Sequence, residues 1–594
     1  MTLYAAALRK RIDIAAGTLP ADIVVSGGEV FNLYAGTIER RDLLIAGDRI
    51  AALVEPGSAT VGESTRVIDA SGAYVMPTLI DSHFHIGGTH LSVGQLAKAL
   101  LAVGTSCIAT DLYEIYTVSG LAGVRSALDE AASAGLRILY LAPVHLLGLE
   151  SIGSFKWNVT AQDFSEMLDW PETVGIMEPA ANFVLQKHDQ ILEIIGKAQH
   201  LGKVFAGHAP GLSGNMLQAY ISLGASSDHE SKRIGEVTEK LRLGMAAMLR
   251  NGSAAPDLPD LIGAPADYPE LFRWMMMCSD EVDPHDLLTR GHMNGNVRLA
   301  IKAGIPPVAA LQMASLNVAE YYNLSADLGV IAPGKKADFM VVESLETMSP
   351  KNVVVNGVVL DEASPSDARA TGARPANLAM SEVNIHKVVE PADFMIPSDA
   401  EEGDIIAVRV IEVENGSLIS KSAVENLTSR GGHIRFDVDA DVIPLAILDR
   451  NQGSGRIANG FVKGMGIKNG AVASTYCHPY HNLAVLGDSL EDMALAANTV
   501  KGIGGGIVVV QDGKVAEVWE LPIAGVMSEE PLEDAAASFE RINGAIKALG
   551  SPMDSPVLSI SFVALPTIPA LGMTDKGLFD VESGTFLSVV VDKA

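Results

Sequence analysis

Between residue 76 and about residue 325 the chain repeats one pattern: a short apolar run, a polar residue at its end, then a helical stretch. The runs are VMPTLIDSHFH, GTSCIATD, RILYLAPVH, TVGIMEP, KVFAGHA, GASSDHE and WMMMCSDE, with AMLRNGS as the weakest of the set. Short runs of this kind suit strands buried on both faces, as in a parallel sheet wrapped by helices. Eight such strands in about 250 residues have the size and rhythm of an α/β fold closed into a (β/α)8 TIM-like barrel. Closure constrains the rest of the reading, because barrels of this kind place their chemistry at the C-terminal ends of the strands.

The flanks read differently. ADIVVSGGEVF, TIERRDLLIAGDRIAALV and TRVIDASGAYV before the barrel, and ADFMVVESLETMSPKNVVVNGVVL after it, are short strands divided by Gly, Asp and Asn turns. One small β-sandwich domain assembled from residues 1–75 and 326–374 is expected to flank the barrel at 76–325. The pattern changes again after ATGARPANLAM, which sets a boundary near residue 375. From there to residue 594, strands such as DIIAVRVIEVENG mix with acidic helices such as SLEDMALAANTVK, as in a C-terminal α/β domain. Three units accord with a chain of 594 residues, which is too long for one core.

Composition excludes several partners. A formal net charge of -29 disfavours a polyanion, since phosphate contacts need clustered Lys and Arg, so nucleic acid is not expected. Cys107, Cys278 and Cys477 are too few and too dispersed for a disulfide framework, which suits a reducing compartment. No apolar run reaches the roughly 18 residues of a membrane span. MTLYAAALRKRIDIAAG has no uninterrupted signal-peptide core, so a cytoplasmic location without membrane partners is expected. GIGGG at 502–506 lacks the following Lys and Ser/Thr of a phosphate loop and precedes a strand. WMMMC reads as a packed barrel strand, and HPYH at 478–481 as a loop over the barrel mouth or an interdomain contact.

The polar residues at the strand ends are the candidate site. His83 and His85 lie two apart on the first strand, hence on one face and roughly 6 to 7 Å apart along the chain, close enough to share an ion. Glu178 ends the fourth strand, His208 the fifth, His229 the sixth and Asp280 the eighth. Each alone has an ordinary alternative: a helix N-terminal charge for Glu178, a loop hydrogen bond for His208, a turn for His229, an N-cap for Asp280. Their common placement, in barrel order, favours a shared function. Imidazoles beside carboxylates suit Zn, Mn or Fe, whereas Mg favours oxygen throughout. Six ligands exceed the needs of one four-coordinate ion, so two ions bridged by Glu178 and a hydroxide are expected.

These motifs resemble the amidohydrolase superfamily: the N-terminal sheet, the HxH ending strand one, the later His, His and Asp, and the returning GVIAPGKKADFMVV. The resemblance is closer to the bacterial adenine deaminase family. It is carried by GHAPGLSGNMLQAYISLGASSDHE, KLRLGMAAMLRNGSA, NGFVKGMGIKNGAVAS, GIGGGIVVVQDGKVAEVWELPIAGVMS and TDKGLFDV, which span both barrel and C-terminal domain. It implies the subgroup that bridges its metals with Glu, matched by Glu178. Two departures stand out. The family's DPHEIANV reads DLYEIYTV here, keeping Asp111 and Glu114 but placing Tyr113 where His is usual. Its AHDSHN reads CHPYHN, keeping His481 and Asn482 but carrying Cys477, Pro479 and Tyr480.

What the resemblance implies is hydrolytic deamination of adenine to hypoxanthine and ammonia, with two divalent ions, Mn or Fe foremost and Zn admissible. The expected mechanism is attack by a metal-activated hydroxide, with Asp280 carrying its proton to the departing ammonia and His229 both ligating and polarising. Glu114 is the expected proton donor or hydrogen-bond partner for the purine; Asp111, Tyr113 and His481 are further candidate substrate contacts. The alternatives are another aminated heterocycle or cyclic amide on the same scaffold, and an inactive binding or scaffold protein. A homodimer is the default assembly.

Overall fold

The computed structural model describes residues 3–264, 269–360, 381–417, 419–568 and 570–591. The boundary expected near residue 375 lies outside the described residues. Strands from the two flanks of the barrel join in one sheet. Tyr74–Pro77 runs antiparallel to Phe339–Val342, with Tyr74 opposite Val342 and Pro77 opposite Phe339. On its other side it pairs with Ile23–Asn32, which a bulge at Ser26-Gly27 divides into two halves. The first half pairs with Arg66–Asp69 and the second with Tyr74–Pro77, so the sheet forks there. Gly28 is required at the fork because a Cβ would sit 2.5 Å from a Val75 methyl. The inward alternates Ile23, Val25, Val30, Val75, Phe339 and Val341 share one apolar core inside the folded sheet.

The eight expected barrel strands are all present: Leu79–Asp81, Thr105–Thr110, Arg137–Ala142, Thr173–Ala180, Val204–His208, Ala225–Asp228, Ala246–Arg250 and Met275–Cys278. They pair in parallel in sequence order. The ring closes one step beyond the first and last strands, where Phe84 bridges Asp280 in parallel. There the His85 amide donates to the Asp280 carbonyl at 2.7 Å, and the Asp280 amide to the His83 carbonyl at 3.0 Å. Below this seam the buried Asp81 carboxylate accepts the Ser279 amide at 3.2 Å and faces His292 Nε2 at 3.1 Å. Alternate residues face opposite sides, so Met276 and Cys278 enter the barrel interior with Cys107, Ala109, Leu139 and Leu141, while Met275 and Met277 pack outward.

One expected element divides. VMPTLIDSHFH reads as a single strand, but Tyr74–Pro77 belongs to the flanking sheet and only Leu79–Asp81 to the barrel. The handover falls at Thr78, whose amide donates to the Asp338 carbonyl while that of Leu79 turns to Gly104 in the barrel. An unbroken apolar run hides it because both sheets are buried.

The C-terminal segment forms a nine-stranded sheet, antiparallel except where Ile405–Glu412 meets Ile457–Lys463. One face carries the helix Leu490–Ile503. The other face, with Ile443, Leu445, Ile447 and Val472, shares one continuous core with Phe84, Leu91, Val93 and Leu96 of the barrel. Polar contacts add register to that docking: the Ser528 amide donates to the His90 carbonyl at 2.7 Å, and Asp575 accepts from the Ser154 amide at 2.9 Å and pairs with Arg456 at 3.0 Å. The C-terminal segment is thereby seated over the C-terminal ends of the barrel strands. No helix of the described residues is long and apolar enough to cross a membrane.

Candidate metal centre

Six strand-end side chains converge at the barrel mouth, and Glu178 is their hub. Its Oε1 lies 2.9 Å from His229 Nε2, 3.3 Å from His83 Nε2 and 3.5 Å from His208 Nδ1; its Oε2 lies 3.4 Å from His85 Nε2. Asp280 Oδ1 faces His83 Nε2 at 3.6 Å and His85 Nε2 at 3.8 Å. All six are at least nine-tenths buried except His208, which is half-buried. The rings of His83 and His85 stand edge to face at 5.1 Å, so that both Nε2 atoms aim at the two carboxylates. Backbone strain accompanies the convergence. Glu178 and Asp280 both adopt left-handed φ, 53° and 62°, which costs a non-glycine residue of order 1–3 kcal/mol and is retained where the surroundings enforce it.

The donor set fits divalent metal. Ligand atoms of His83, His85 and Glu178, of His83, His229 and Asp280, and of Glu178, His208 and His229 all lie within 4.8 Å of one another. Any two of these groups have one residue in common, His83, Glu178 or His229, as suits neighbouring ions. His83 Nε2 and His208 Nδ1 are buried nitrogens without a hydrogen-bond partner among the described residues, and a buried unpaired nitrogen is costly unless a cation takes its lone pair. His85 has the support usual for a ligating imidazole: its Nδ1 lies 3.3 Å from Asp111 Oδ1, which leaves Nε2 for the centre.

Around these ligands lies a set of charged groups not selected in the sequence reading. Arg250, at the end of the seventh strand and 1% exposed, donates to Asp280 Oδ2 at 3.0 Å, contacts Glu230 and is braced by Asp257 at 2.9 Å. The Asp280 carboxylate is therefore tethered by one oxygen and presents Oδ1 to the centre. Burial works against its charge, but contact with His83 and the Arg250 guanidinium hold it below the usual carboxylate range. Glu230 Oε1 lies 3.2 Å from His229 Nε2. His145, after the third strand, lies 3.7 Å from Asp111 Oδ2. Glu281 is pushed up to about 8 by burial and by the neighbouring Asp280 charge. The signal for all four was available, since each ends a barrel run or adjoins a chosen ligand, but a charge beside a ligand reads equally well as a solvated loop residue.

A cavity of about 100 Å3 opens on the centre, lined by His85, Glu178 and Asp280 and by Tyr113, Glu281 and His478. Of the candidate substrate contacts, Tyr113 reaches this cavity. Asp111 instead lies behind His85. Glu114, fully buried and pushed up to about 7 by burial and the Asp111 charge, accepts the Gly87 amide at 2.8 Å. His481 stacks behind Tyr113 with ring centroids 5.7 Å apart. HPYH proves to be the roof of the barrel mouth: His478 and Pro479 line the cavity together with Phe562, Leu565, Thr567 and Ile568 of the C-terminal domain.

Comparison with known proteins agrees with this architecture. The amidohydrolase family model matches residues 74–360, and the adenine deaminase C-terminal domain model matches residues 417–585. The adenine deaminase of Desulfatibacillum aliphaticivorans is 35% identical over 97% of this chain and 99% of its own length. The chain belongs to the adenine deaminase family. Further members at 35% identity are the adenine deaminases of Moorella thermoacetica, covering 96% of each chain, and of Clostridium botulinum strain Loch Maree, covering 98% of this chain and 97% of that one. As an amidohydrolase of this family the chain uses divalent metal, and the donor groups described above are the candidates to hold it.

Proposed function

We propose that this chain hydrolyses adenine to hypoxanthine and ammonia. The observation that carries the reading is the convergence of His83, His85, Glu178, His208, His229 and Asp280 on one buried cavity of small-heterocycle size, in a chain similar over its whole length to proteins named adenine deaminase. Two divalent ions, manganese or iron, would be held by the overlapping donor groups of His83, His85, Glu178, His208, His229 and Asp280. When bound, such ions make a water molecule acidic enough to attack at neutral pH and hold it against the ring.

The chain's own residues supply the rest. Asp280 Oδ1 takes the proton of the attacking water as its oxygen bonds to C6 of adenine and the C6=N1 pair moves onto N1; it returns the proton to the amine as that pair comes back, the C6–N bond breaks and ammonia leaves, and the 6-hydroxypurine tautomerises to hypoxanthine. Arg250 keeps the carboxylate aimed and ionised by holding Oδ2 at 3.0 Å. His229, stacked on His83 at 3.8 Å between ring centroids, is fixed beside the same point. The apolar roof of Pro479, Phe562, Leu565 and Ile568 limits access of bulk water. Adenine carries no phosphate, and it suits a cavity whose arginine, Arg250, is already engaged by Glu230, Asp257 and Asp280. The three cysteines are buried and unpaired, in keeping with a reducing cytoplasmic setting.

Tyr113 on the cavity wall favours one competing reading, another aminated heterocycle or a cyclic amide. The test is to incubate manganese- or iron-loaded protein with purines, pyrimidines and cyclic amides, following ammonia and ring opening. Ammonia from adenine, with hypoxanthine as co-product, is the expected result. Turnover of other compounds with adenine untouched would replace adenine as the substrate.

A further inference from the structure

We propose that His478 and Glu281 together read the edge of the purine remote from its amino-bearing carbon, with Tyr113 positioning His478. The inference rests on the adenine reading above and adds to it how the site recognises the ring.

His478 comes from the C-terminal domain and is 4% exposed. Its Nδ1 lies 2.6 Å from the Tyr113 hydroxyl, across 365 residues of chain. Imidazole nitrogen is a stronger base than a phenol oxygen, so the hydroxyl donates and the ring proton resides on Nε2. Burial holds the imidazole well below the ordinary histidine range, so it is neutral. Its plane is fixed by stacking on Phe562 at 5.0 Å and by the edge of Tyr476 at 4.9 Å. Nε2 is nevertheless without an aligned hydrogen-bond partner, although Glu281 Oε1 lies 3.2 Å away. A buried N–H held this firmly and left unsatisfied at a cavity wall is a group set aside for a ligand.

Glu281 stands beside it, its other oxygen 3.4 Å from the Tyr476 hydroxyl. A carboxyl offers an acceptor oxygen whether or not it is protonated. The cavity therefore presents one donor and one acceptor side by side, which complements a ligand edge carrying an acceptor nitrogen next to an N–H. With C6 of adenine facing Asp280 and the histidines, the opposite edge of the ring carries N3, an acceptor, and N9–H, a donor. His478 takes N3 and Glu281 takes N9–H. In a nucleoside N9 bears the sugar, which removes the N–H that Glu281 accepts. The pair thus selects the free base.

The test compares kcat/KM of manganese-loaded wild type, His478→Ala and Tyr113→Phe on adenine and on 3-deazaadenine, in which carbon replaces N3, with metal content measured alongside. His478→Ala is expected to lose roughly 10- to 100-fold on adenine but less than about threefold on 3-deazaadenine, with metal content unchanged. Tyr113→Phe keeps the ring and serves if the alanine variant does not fold; it is expected to lose roughly 3- to 10-fold on adenine with the same sparing of 3-deazaadenine. For wild type, 9-methyladenine is expected to be a poorer substrate than adenine by roughly 10-fold or more. Equal losses on both substrates, or loss of metal in Tyr113→Phe, would overturn the role of His478, and unimpaired 9-methyladenine turnover that of Glu281. Absence of adenine turnover by the wild type would overturn the functional reading itself and this inference with it.

Discussion

Lys240 is the sharpest structural test of how the centre is held. Its ammonium is completely buried and donates to Asp228 Oδ2 at 2.7 Å, to the Ala209 carbonyl at 3.0 Å and to Ser231 Oγ at 3.0 Å. Ala209 follows the ligand His208, and Asp228 precedes the ligand His229, so one side chain fastens the ends of the fifth and sixth strands together. Replacing Lys240 by Met removes all three donations and leaves a buried carboxylate without its cation. Breaking a buried pair in this way costs about 3–5 kcal/mol. Asp228 retains the Ala209 amide at 2.8 Å, the Glu230 amide at 3.1 Å and the Ser231 hydroxyl at 3.0 Å, which places the cost at the lower end, about 3 kcal/mol. Because the chain has several units, a single unfolding midpoint is a poor measure; hydrogen exchange of the Ala209 and Glu230 amides reports the opening locally. Their exchange is expected to accelerate roughly 100-fold, with weaker metal retention, and Asp228→Asn in the same background should recover part of the loss. Exchange within about threefold of wild type, with metal held equally well, would refute the reasoning.

Glu178→Gln removes the charge shared by the donor groups and is expected to abolish activity and metal occupancy, measured by elemental analysis; an active, fully metallated variant would refute the bridging role. Asp280→Asn keeps the Arg250 contact but not the proton acceptor, so kcat should fall roughly 100- to 10,000-fold. At Glu130 burial, opposed by the Gly94 amide at 2.9 Å, raises the carboxyl above the ordinary range. An acid raised in the folded state binds its proton more tightly there. Wild-type stability is therefore eroded as pH climbs from the unfolded pKa of about 4.5 through the folded one. Glu130→Gln, whose carbonyl can still accept from Gly94, should gain local stability over wild type at pH 8 but not at pH 4, read from hydrogen exchange of the Gly94 amide in both proteins at each pH; an equal difference at the two would contradict it.

The barrel was legible because its strands are short, apolar and end on polar residues, a pattern that follows from burial on both faces and needs no knowledge of partners. The six ligands were legible for the same reason, since strand ends in a closed barrel share one rim. What could not be read depends on contacts distant in sequence. Nothing near Pro77 marks where the chain leaves one sheet for the other, because both sheets demand the same apolar residues. Arg250, Glu230 and Glu281 sit at or beside positions already singled out, yet their meaning lies in which neighbour they meet. Asp111 and Glu114 pass for cavity acids in sequence, whereas the structure turns one behind His85 and the other onto Gly87. His478 meets Tyr113 only because the C-terminal domain shares a core with the barrel mouth, a fact carried by residues such as Ile443 and Leu96 that look like any other core positions.

The central claim is that a paired metal centre in this cavity deaminates adenine. It is tested most directly by measuring hypoxanthine and ammonia release from adenine as manganese is titrated into metal-free protein. The account expects the rate to rise with bound metal and to level off at two ions per chain, with equal amounts of the two products. A protein that binds two ions and leaves adenine unchanged, or whose rate is complete with one ion bound, would contradict it.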